Sequence, residues 1–170
     1  RDPEMSRGLG DVYKRQLLIN MDAQAPNHVF QEWAAQGGFL PDVQSIQPEY
    51  RYGDSRLDFA LTTLSGLHLV EVKGVTLEEN GVVRFPDAPT ERGVKHIREL
   101  ERAVREGTEA TLFFVIQMCG VDHFSPNDIT HPAFGAALRE AAAAGVHIRA
   151  YDCVVAPDSI AIHRPVPVIL

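Results

Sequence analysis

The segment LHLVEVKGV, residues 67–75, places an acid and a base inside a predicted β-strand. Period-two alternation puts Glu71 and Lys73 on one face with Leu69, and both faces of the strand are otherwise largely apolar. A charged side chain in a covered strand costs several kcal/mol unless it is paired or bound to a metal. One interpretation is an ion pair at a strand end near solvent, and the other is a site that uses both charges.

A second carboxylate, Asp58, lies on the polar face of the preceding predicted strand, residues 56–63. A hairpin would set Asp58 beside Glu71 and within reach of Lys73. Carboxylates are the hard oxygen ligands that Mg²⁺ takes, and a bound metal acidifies water and stabilises charge on a phosphate. An amine can orient that water, help to deprotonate it or neutralise the transition state. The three residues therefore predict metal-assisted phosphodiester hydrolysis, with Mg²⁺ or Mn²⁺ as cofactor.

The start of the predicted helix 90–106 offers groups that could bind a phosphate. Unpaired backbone N–H groups and the helix dipole favour an anion there, and Arg92 and Lys95 add positive charge. We therefore predict that Arg92 and Lys95 contact nucleic acid. Arg56, beside Asp58, is either a further phosphate contact or a salt-bridge partner of an acid. The mixed charges farther along the helix indicate a solvated ion-pair face.

Other polar residues carry weaker signals. Gln117 ends an otherwise apolar strand, predicted at residues 110–118, and could meet a phosphate or a water on the metal. The alternative for Gln117 is a hydrogen-bonded amide at a strand end. His96 lies near the apolar side of its helix, which is typical of a packed or capping histidine. Cys119 with His123 is an isolated pair without further ligands at zinc spacing, so the sequence predicts no zinc site.

Composition limits the classes of protein that fit. With 170 residues, 45% hydrophobic and 23% charged, the chain has the size and balance of one globular domain. Two cysteines are too few for a disulfide framework, and no apolar run approaches the ~20 residues of a membrane span, so we expect a cytoplasmic protein without membrane association. Sixteen cations against 23 anions give a net charge of −7, which excludes nucleic-acid binding by bulk charge but not through a metal ion.

Hydrophobic periodicity predicts the element order α, β-β-β, α, β, α, β, which is typical of a mixed sheet with helices on its faces. The predicted helices are 26–35, 90–106 and 132–144, and the predicted strands are 49–53, 56–63, 67–77, a short one ending at 85, 110–118, 146–155 and 160–163. The stretch that contains Pro41 and Pro48 is predicted as a loop. Residues 1–16 are polar and aperiodic, so we expect a non-native or disordered leader before one domain over residues 17–170.

Asp58, followed thirteen residues later by Glu71-Val72-Lys73 on an adjacent strand of such a core, resembles the PD-(D/E)xK nuclease superfamily. The segments GDSRLDFAL, VEVKGVTL, FPDAPTERGVKHIREL, LFFVIQ and RPVPVIL are similar to the sugar fermentation stimulation protein family of bacteria. The resemblance covers about residues 17–170. It implies an α/β restriction-endonuclease-like fold, with a mixed β-sheet flanked by helices, and DNA binding. It also implies an N-terminal OB-fold domain, which we expect to be missing from this chain.

Carried over position by position, the resemblance assigns Asp58 and Glu71 as metal ligands and Lys73 as the water-positioning base. Glu49 matches the superfamily's acid upstream of the aspartate strand and could complete the metal shell. The alternative for Glu49 is a solvated glutamate at the start of a strand.

These observations lead us to expect a DNA-binding protein with a metal-dependent, nuclease-like site for phosphodiester hydrolysis. The first alternative is a non-catalytic DNA-binding regulator of sugar metabolism that retains the nuclease fold. A third class, a structural or partner-binding domain, fits the acidic charge. The intact set of Asp58, Glu71 and Lys73 favours a Mg²⁺-dependent endonuclease over both.

Overall fold

The computed structural model describes the backbone of residues 9–10 and all of residues 17–170. In this part of the chain the helices are α1 (Ala25–Ala35), α2 (Glu91–Arg105) and α3 (Pro132–Ala144). The strands are β1 (Leu9–Gly10), β2 (Leu17–Leu18), β3 (Val43–Tyr52), β4 (Ser55–Thr63), β5 (Gly66–Val75), β6 (Leu77–Glu79), β7 (Val82–Phe85), β8 (Glu109–Ile116), β9 (His123–Pro126), β10 (His147–Ala156) and β11 (Ser159–Pro165). Of the expected leader, only β1, which pairs with β2, falls within the described residues.

The main sheet has six strands in the order β11-β10-β8-β5-β4-β3. Strands β5, β8 and β10 are parallel to one another, whereas β3, β4 and β11 run antiparallel to their neighbours. A smaller sheet has the order β6-β7-β9. A mixed sheet flanked by helices is the fold class that the sequence predicts, and that prediction is confirmed.

The six-stranded sheet separates two apolar clusters. Phe114 of β8 packs in one cluster with Leu100 of α2 and with buried residues of α3. Its neighbour Phe113 packs in the other cluster with Phe30 of α1. Strand β8 is therefore covered on both faces, which explains why residues 110–116 are continuously buried and, apart from Thr111, apolar rather than alternating.

Helix α2 is fixed at both ends by local interactions. The Thr90 hydroxyl accepts a hydrogen bond from the Gly93 N–H at 3.0 Å, which caps the first turn. Gly107, with φ of +97°, follows the last turn in a left-handed conformation that favours glycine. Within residues 9–10 and 17–170, no helix is long and apolar enough to cross a membrane.

Strands β3 and β9 are among the elements that differ from their prediction. β3 begins at Val43, so it includes the stretch around Pro48 that is predicted as a loop. Proline cannot donate to a ladder, but β3 is the edge strand of the sheet, where a missing donor costs little. The prediction also lacks β9, a four-residue strand whose length gives almost no periodic signal.

The alternation of β4 is interrupted at Asp58. The sequence pattern puts Leu57, Phe59 and Leu61 on one face, but Leu57 packs in the cluster under α2 whereas Phe59 and Leu61 pack under α1. The change of face occurs where the pairing of β4 with β5 stops, after Phe59 and Val70.

The aromatic cluster under α1 gives a test of how that helix is held. Phe30 is fully buried, with ring centroids 4.9 to 5.3 Å from Phe39, Phe59 and Phe113. We expect Phe30→Ala to lower the free energy of unfolding by about 3–5 kcal/mol in urea titrations, because it removes buried area and leaves a cavity. The matched control on the exposed side of the same helix is Gln31→Ala, with an expected change within about 0.5 kcal/mol. Equal effects of the two variants would contradict this packing.

Candidate active site

Asp58 and Glu71 lie at the point where β4 and β5 separate. Phe59 and Val70 form the last backbone pair of the hairpin at this end. Beyond that pair, each acid accepts a hydrogen bond from the opposite strand: the Asp58 N–H donates to Glu71 Oε1 at 3.0 Å, and the Val72 N–H donates to Asp58 Oδ2 at 2.8 Å. The two carboxylates are therefore held side by side by the backbones that carry them.

The second oxygen of Glu71 is the centre of a three-residue contact. His96 Nδ1 lies 2.7 Å and Lys73 Nζ 3.2 Å from Glu71 Oε2, and the two nitrogens are 3.1 Å apart. An ionised carboxylate only accepts hydrogen bonds, so the His96 contact requires a proton on Nδ1, and the ammonium of Lys73 donates to the same oxygen. Glu71 is 2% exposed, so this pairing compensates a buried charge.

Helices from both sides of the sheet complete a groove around the acids. The side-chain amide of Asn27, on α1, donates to Asp58 Oδ1 at 3.1 Å. On the opposite side, Arg92 and His96 of α2 line the groove with Lys73. The groove therefore brings together the three residues on which the sequence prediction depends and adds an amide and an imidazole.

The two carboxyl groups differ in their ionisation. Burial and the adjacent charge of Glu71 raise the pKa of Asp58 to about 6, against the opposing effect of its hydrogen bonds. Burial also acts to raise the pKa of Glu71, but the hydrogen bond from His96 and the charge of Lys73 outweigh it, and the pKa of Glu71 lies below its usual value. Glu71 is therefore the more acidic member of a coupled pair.

Four of the predicted residues are not among those that line this groove: Glu49, Arg56, Lys95 and Gln117. Glu49 is exposed, and its carboxylate contacts the guanidinium of Arg56 at 3.5 Å. The salt-bridge alternative for Arg56 is therefore realised with Glu49 rather than with Asp58. The structure does not bring Glu49 among the residues that line the groove, and its role as a metal ligand stays a prediction.

Gln117 has a positional role. Its amide nitrogen donates to Asn20 Oδ1 and to the Asp22 carbonyl, each at 3.0 Å, and the side chain is 3% exposed. This is the strand-end amide that the sequence offers as the alternative. By fixing residues 20–22, Gln117 fixes the chain that leads into α1 and thereby to Asn27.

The cations of α2 fall into two groups. The arginines after the first turn are engaged by acids on α2 itself or on α3, as the sequence predicts for an ion-pair face. The pairs are Arg98–Glu101, Arg98–Glu140, Arg102–Glu99, Arg102–Glu106 and Arg105–Glu101, with N···O distances from 2.6 to 3.4 Å. Lys95 contacts the Asp54 carbonyl at 3.4 Å. The guanidinium of Arg92, in contrast, has no ion pair or hydrogen bond with any other residue in 17–170.

Sequence reasoning misses the roles of His96 and Asn27. His96 lies on the buried stripe of α2 with Gly93, Ile97 and Leu100, as the prediction of a packed histidine has it. The residue it packs against, however, is the buried Glu71. A polar residue on an apolar stripe, opposite a strand with a buried acid, was the available signal. Asn27 carries no comparable signal, because its contact depends on how α1 docks.

Comparison with known proteins identifies the family. A family model described as "Sugar fermentation stimulation protein RE domain" matches residues 24–159, which include Asp58, Glu71 and Lys73. The chain belongs to the sugar fermentation stimulation protein family. A sugar fermentation stimulation protein homolog from Clostridium beijerinckii is 53% identical over 94% of the chain. Another, from Desulfitobacterium hafniense (strain DSM 10664 / DCB-2), is 54% identical over 88% of the chain. These alignments cover 70% and 65% of the two homologs, so the chain spans about two thirds of its relatives.

A solved structure supports the fold of this family member. The structure of Pyrococcus furiosus SfsA in complex with Ca²⁺ matches with a TM-score of 0.85 at 29% sequence identity. The match covers 91% of this chain and 68% of the Pyrococcus chain. The six-stranded mixed sheet with its helices is therefore the arrangement of a sugar fermentation stimulation protein.

The raised pKa of Asp58 leads to a stability prediction. The folded-state pKa of about 6 exceeds the reference value of 3.8, so this carboxyl stabilises the fold below pH 3.8 and loses that contribution as pH rises through 6. In chelator-treated protein at pH 7.5, we expect Asp58→Asn to raise the free energy of unfolding by about 2 kcal/mol, because the amide oxygen can still accept from the Val72 N–H without a charge. The gain should disappear near pH 4.

The control for this prediction is Asp54→Asn on the neighbouring turn, where the aspartate is exposed. Its free energy of unfolding should stay within about 0.5 kcal/mol of the parent at both pH values in urea titrations. A lower free energy of unfolding for Asp58→Asn at pH 7.5 would show that the charge of Asp58 does not destabilise the fold.

Proposed function

We propose that this domain holds a divalent metal ion on Asp58 and Glu71 and cleaves phosphodiester bonds in DNA. The observation that carries the proposal is that Asp58, Glu71 and Lys73 line one groove at the end of the hairpin. Each carboxylate there accepts a hydrogen bond from a backbone N–H of the opposite strand, at 3.0 Å for Glu71 and 2.8 Å for Asp58. Two acids and an amine are the groups that metal-assisted hydrolysis requires.

The donor set fits a hard cation. Each carboxylate oxygen has two lone pairs, so the hydrogen bonds that Asp58 and Glu71 accept leave acceptor capacity toward the groove. A cation between them would relieve the burial and the like charge that raise the pKa of Asp58. Mg²⁺ or Mn²⁺ bound there would supply Lewis-acid chemistry to the phosphodiester. The Ca²⁺ complex of the Pyrococcus relative agrees with an oxygen-ligand site, since Ca²⁺ prefers the same ligand type.

The chain's own groups have separate tasks in this proposal. The ammonium of Lys73, held 3.2 Å from Glu71 Oε2, can orient the attacking water and donate to the charged phosphate. His96 donates its Nδ1–H to Glu71 Oε2 and so fixes the orientation of this buried carboxylate. Arg92, without a partner in residues 17–170, is placed to receive a DNA phosphate at the rim of the groove.

One observation favours a second candidate function, a non-catalytic DNA-binding regulator of sugar metabolism. Both oxygens of Glu71 already accept hydrogen bonds, from the Asp58 N–H and from His96, so its buried charge is partly compensated without a metal ion. A regulator would bind DNA without a divalent metal and would be indifferent to Glu71→Ala.

Three variants separate these functions. We measure Mn²⁺ binding by isothermal titration and cleavage of mixed single- and double-stranded DNA and RNA substrates. We expect Lys73→Ala to abolish cleavage, by at least about a hundredfold, while Mn²⁺ affinity changes little. Asp58→Ala should weaken Mn²⁺ binding itself, because a ligand is lost. Arg105→Ala, which removes a cation from the ion-pair face, should change neither. Equal cleavage by the parent, Lys73→Ala and Asp58→Ala would refute the proposal that this site cleaves DNA.

The guanidinium of Arg92, which has no partner among residues 17–170, gives a prediction for DNA affinity. If it contacts one duplex phosphate, Arg92→Ala should lower the affinity and reduce the slope of log K against log salt by about 0.9. Binding is measured by fluorescence anisotropy with a labelled duplex at several salt concentrations. Arg105, whose guanidinium is bound to Glu101 at 2.7 Å, provides the matched control on the same helix. An unchanged slope for Arg92→Ala would remove this residue from the interface.

A further inference from the structure

A second group of side chains that could bind a metal lies at the end of β8, near β10 and the edge strand β11. Cys119 follows β8, Asp152 lies in β10, and His163 lies in β11. The pairing of β10 with β11 shifts register between Tyr151 and Cys153, so an irregularity falls at Asp152. Such irregularities redirect a side chain out of the regular alternation. The topology thus brings together ligands from three separate parts of the sequence.

The distances within this group match a tetrahedral metal site. Cys119 Sγ lies 3.7 Å from His163 Nδ1, and His163 Nδ1 lies 3.4 Å from Asp152 Oδ1. All three ligand atoms are within 4.8 Å of one another. Zinc bonds of about 2.3 Å to sulfur and about 2.0 Å to nitrogen or oxygen imply ligand separations of about 3.3–3.6 Å at tetrahedral angles. Closing onto an ion therefore requires shifts of only tenths of an ångström for the two measured pairs.

The burial of Asp152 calls for a positive partner. The residue is 2% exposed, and its two oxygens accept the backbone N–H groups of Gly120 at 3.1 Å and Arg164 at 2.9 Å. These bonds orient the carboxylate, as partners of a metal ligand do, but they carry no full charge. Among residues 17–170, no lysine or arginine side chain forms an ion pair with Asp152. A cation bound beside Asp152 would compensate this buried charge.

We propose that Cys119, Asp152 and His163 bind one Zn²⁺ ion. A thiolate and an imidazole select zinc or another transition metal, in contrast to the oxygen ligands of the Asp58–Glu71 groove, which suit Mg²⁺ and Ca²⁺. Binding releases the thiol proton of Cys119 to solvent, because the thiolate is the ligand. Three protein ligands would leave a fourth position for water, and His163, with 35% of its side chain exposed, shows that solvent reaches this group of residues.

The spacing of these ligands explains why the sequence does not indicate them. The sequence pairs Cys119 with the nearby His123, but His123 Nδ1 contacts Asp122 at 2.8 Å instead. The histidine that meets Cys119 is 44 residues away along the chain. Zinc sites that are recognised from sequence have ligands in close pairs, and this one has none.

Cobalt substitution tests the site through its sulfur ligand. Co²⁺ titrated into chelator-treated protein should produce a thiolate-to-cobalt charge-transfer band in the near ultraviolet at one ion per chain, and Zn²⁺ should remove it. Ca²⁺ and Mg²⁺ in excess should not. We expect the band to vanish in Cys119→Ser and the Zn²⁺ affinity, measured by chelator competition, to fall by more than about a hundredfold in His163→Gln.

Matched controls keep the test specific. The chain has one other cysteine, the buried Cys153, and Cys153→Ala should retain the band, as should His123→Gln. Asp58→Asn should also retain it, which separates this site from the nuclease-like groove. Urea midpoints of the metal-free proteins verify that each variant folds. A band that persists in Cys119→Ser, one lost in Cys153→Ala, or no band in the parent would overturn the proposal.

Discussion

The groove depends on one constraint, the end of backbone pairing between β4 and β5. The next pair in register after Phe59 and Val70 would be Asp58 with Glu71, and at this position the carboxylates take over from the backbone as acceptors. A buried N–H without a partner costs about 1–3 kcal/mol, so the two acids stabilise the opened strands. Desolvation and the repulsion between the two charges oppose this stabilisation, as the pKa of Asp58 at about 6 indicates. Structure and charge are therefore coupled in the same two side chains.

The packing of α2 decides how that charge is compensated. Thr90 and Gly93 form the first turn, and a side chain at Gly93 would meet Phe134 of α3 at about 3.2 Å, so glycine permits the close approach of the two helices. One turn later the buried stripe presents His96, and a further turn later it presents Leu100 to the core. The same helix face thus covers the apolar cluster and provides a hydrogen-bond donor to Glu71. Displacing α2 would change the core and the site together.

The sequence predicts the parts of the site that periodicity controls. Strand alternation puts Glu71 and Lys73 on one face of a doubly covered strand, and the short hairpin turn brings Asp58 beside them even though the alternation of β4 is interrupted there. His96 could be placed on the correct helix face but not against Glu71, since docking of a helix onto a sheet is not encoded in spacing. The sequence predicts only the second half of the edge strand β3, because the effect of Pro48 on a strand depends on where that strand lies in the sheet.

The net charge of −7 need not oppose phosphate binding, because charges farther than a Debye length of about 8–10 Å are screened. Within the groove, the two carboxylates of Asp58 and Glu71 balance the cations of Lys73 and Arg92. A divalent ion on the carboxylates would shift that local balance by two positive charges, toward a DNA phosphate. Linkage is reciprocal: if the bound metal raises the affinity for phosphate, bound phosphate must raise the affinity for the metal by the same factor. In the proposed function, metal and nucleic acid would therefore bind cooperatively, and the acids that make the chain negative would be the reason that it binds a polyanion.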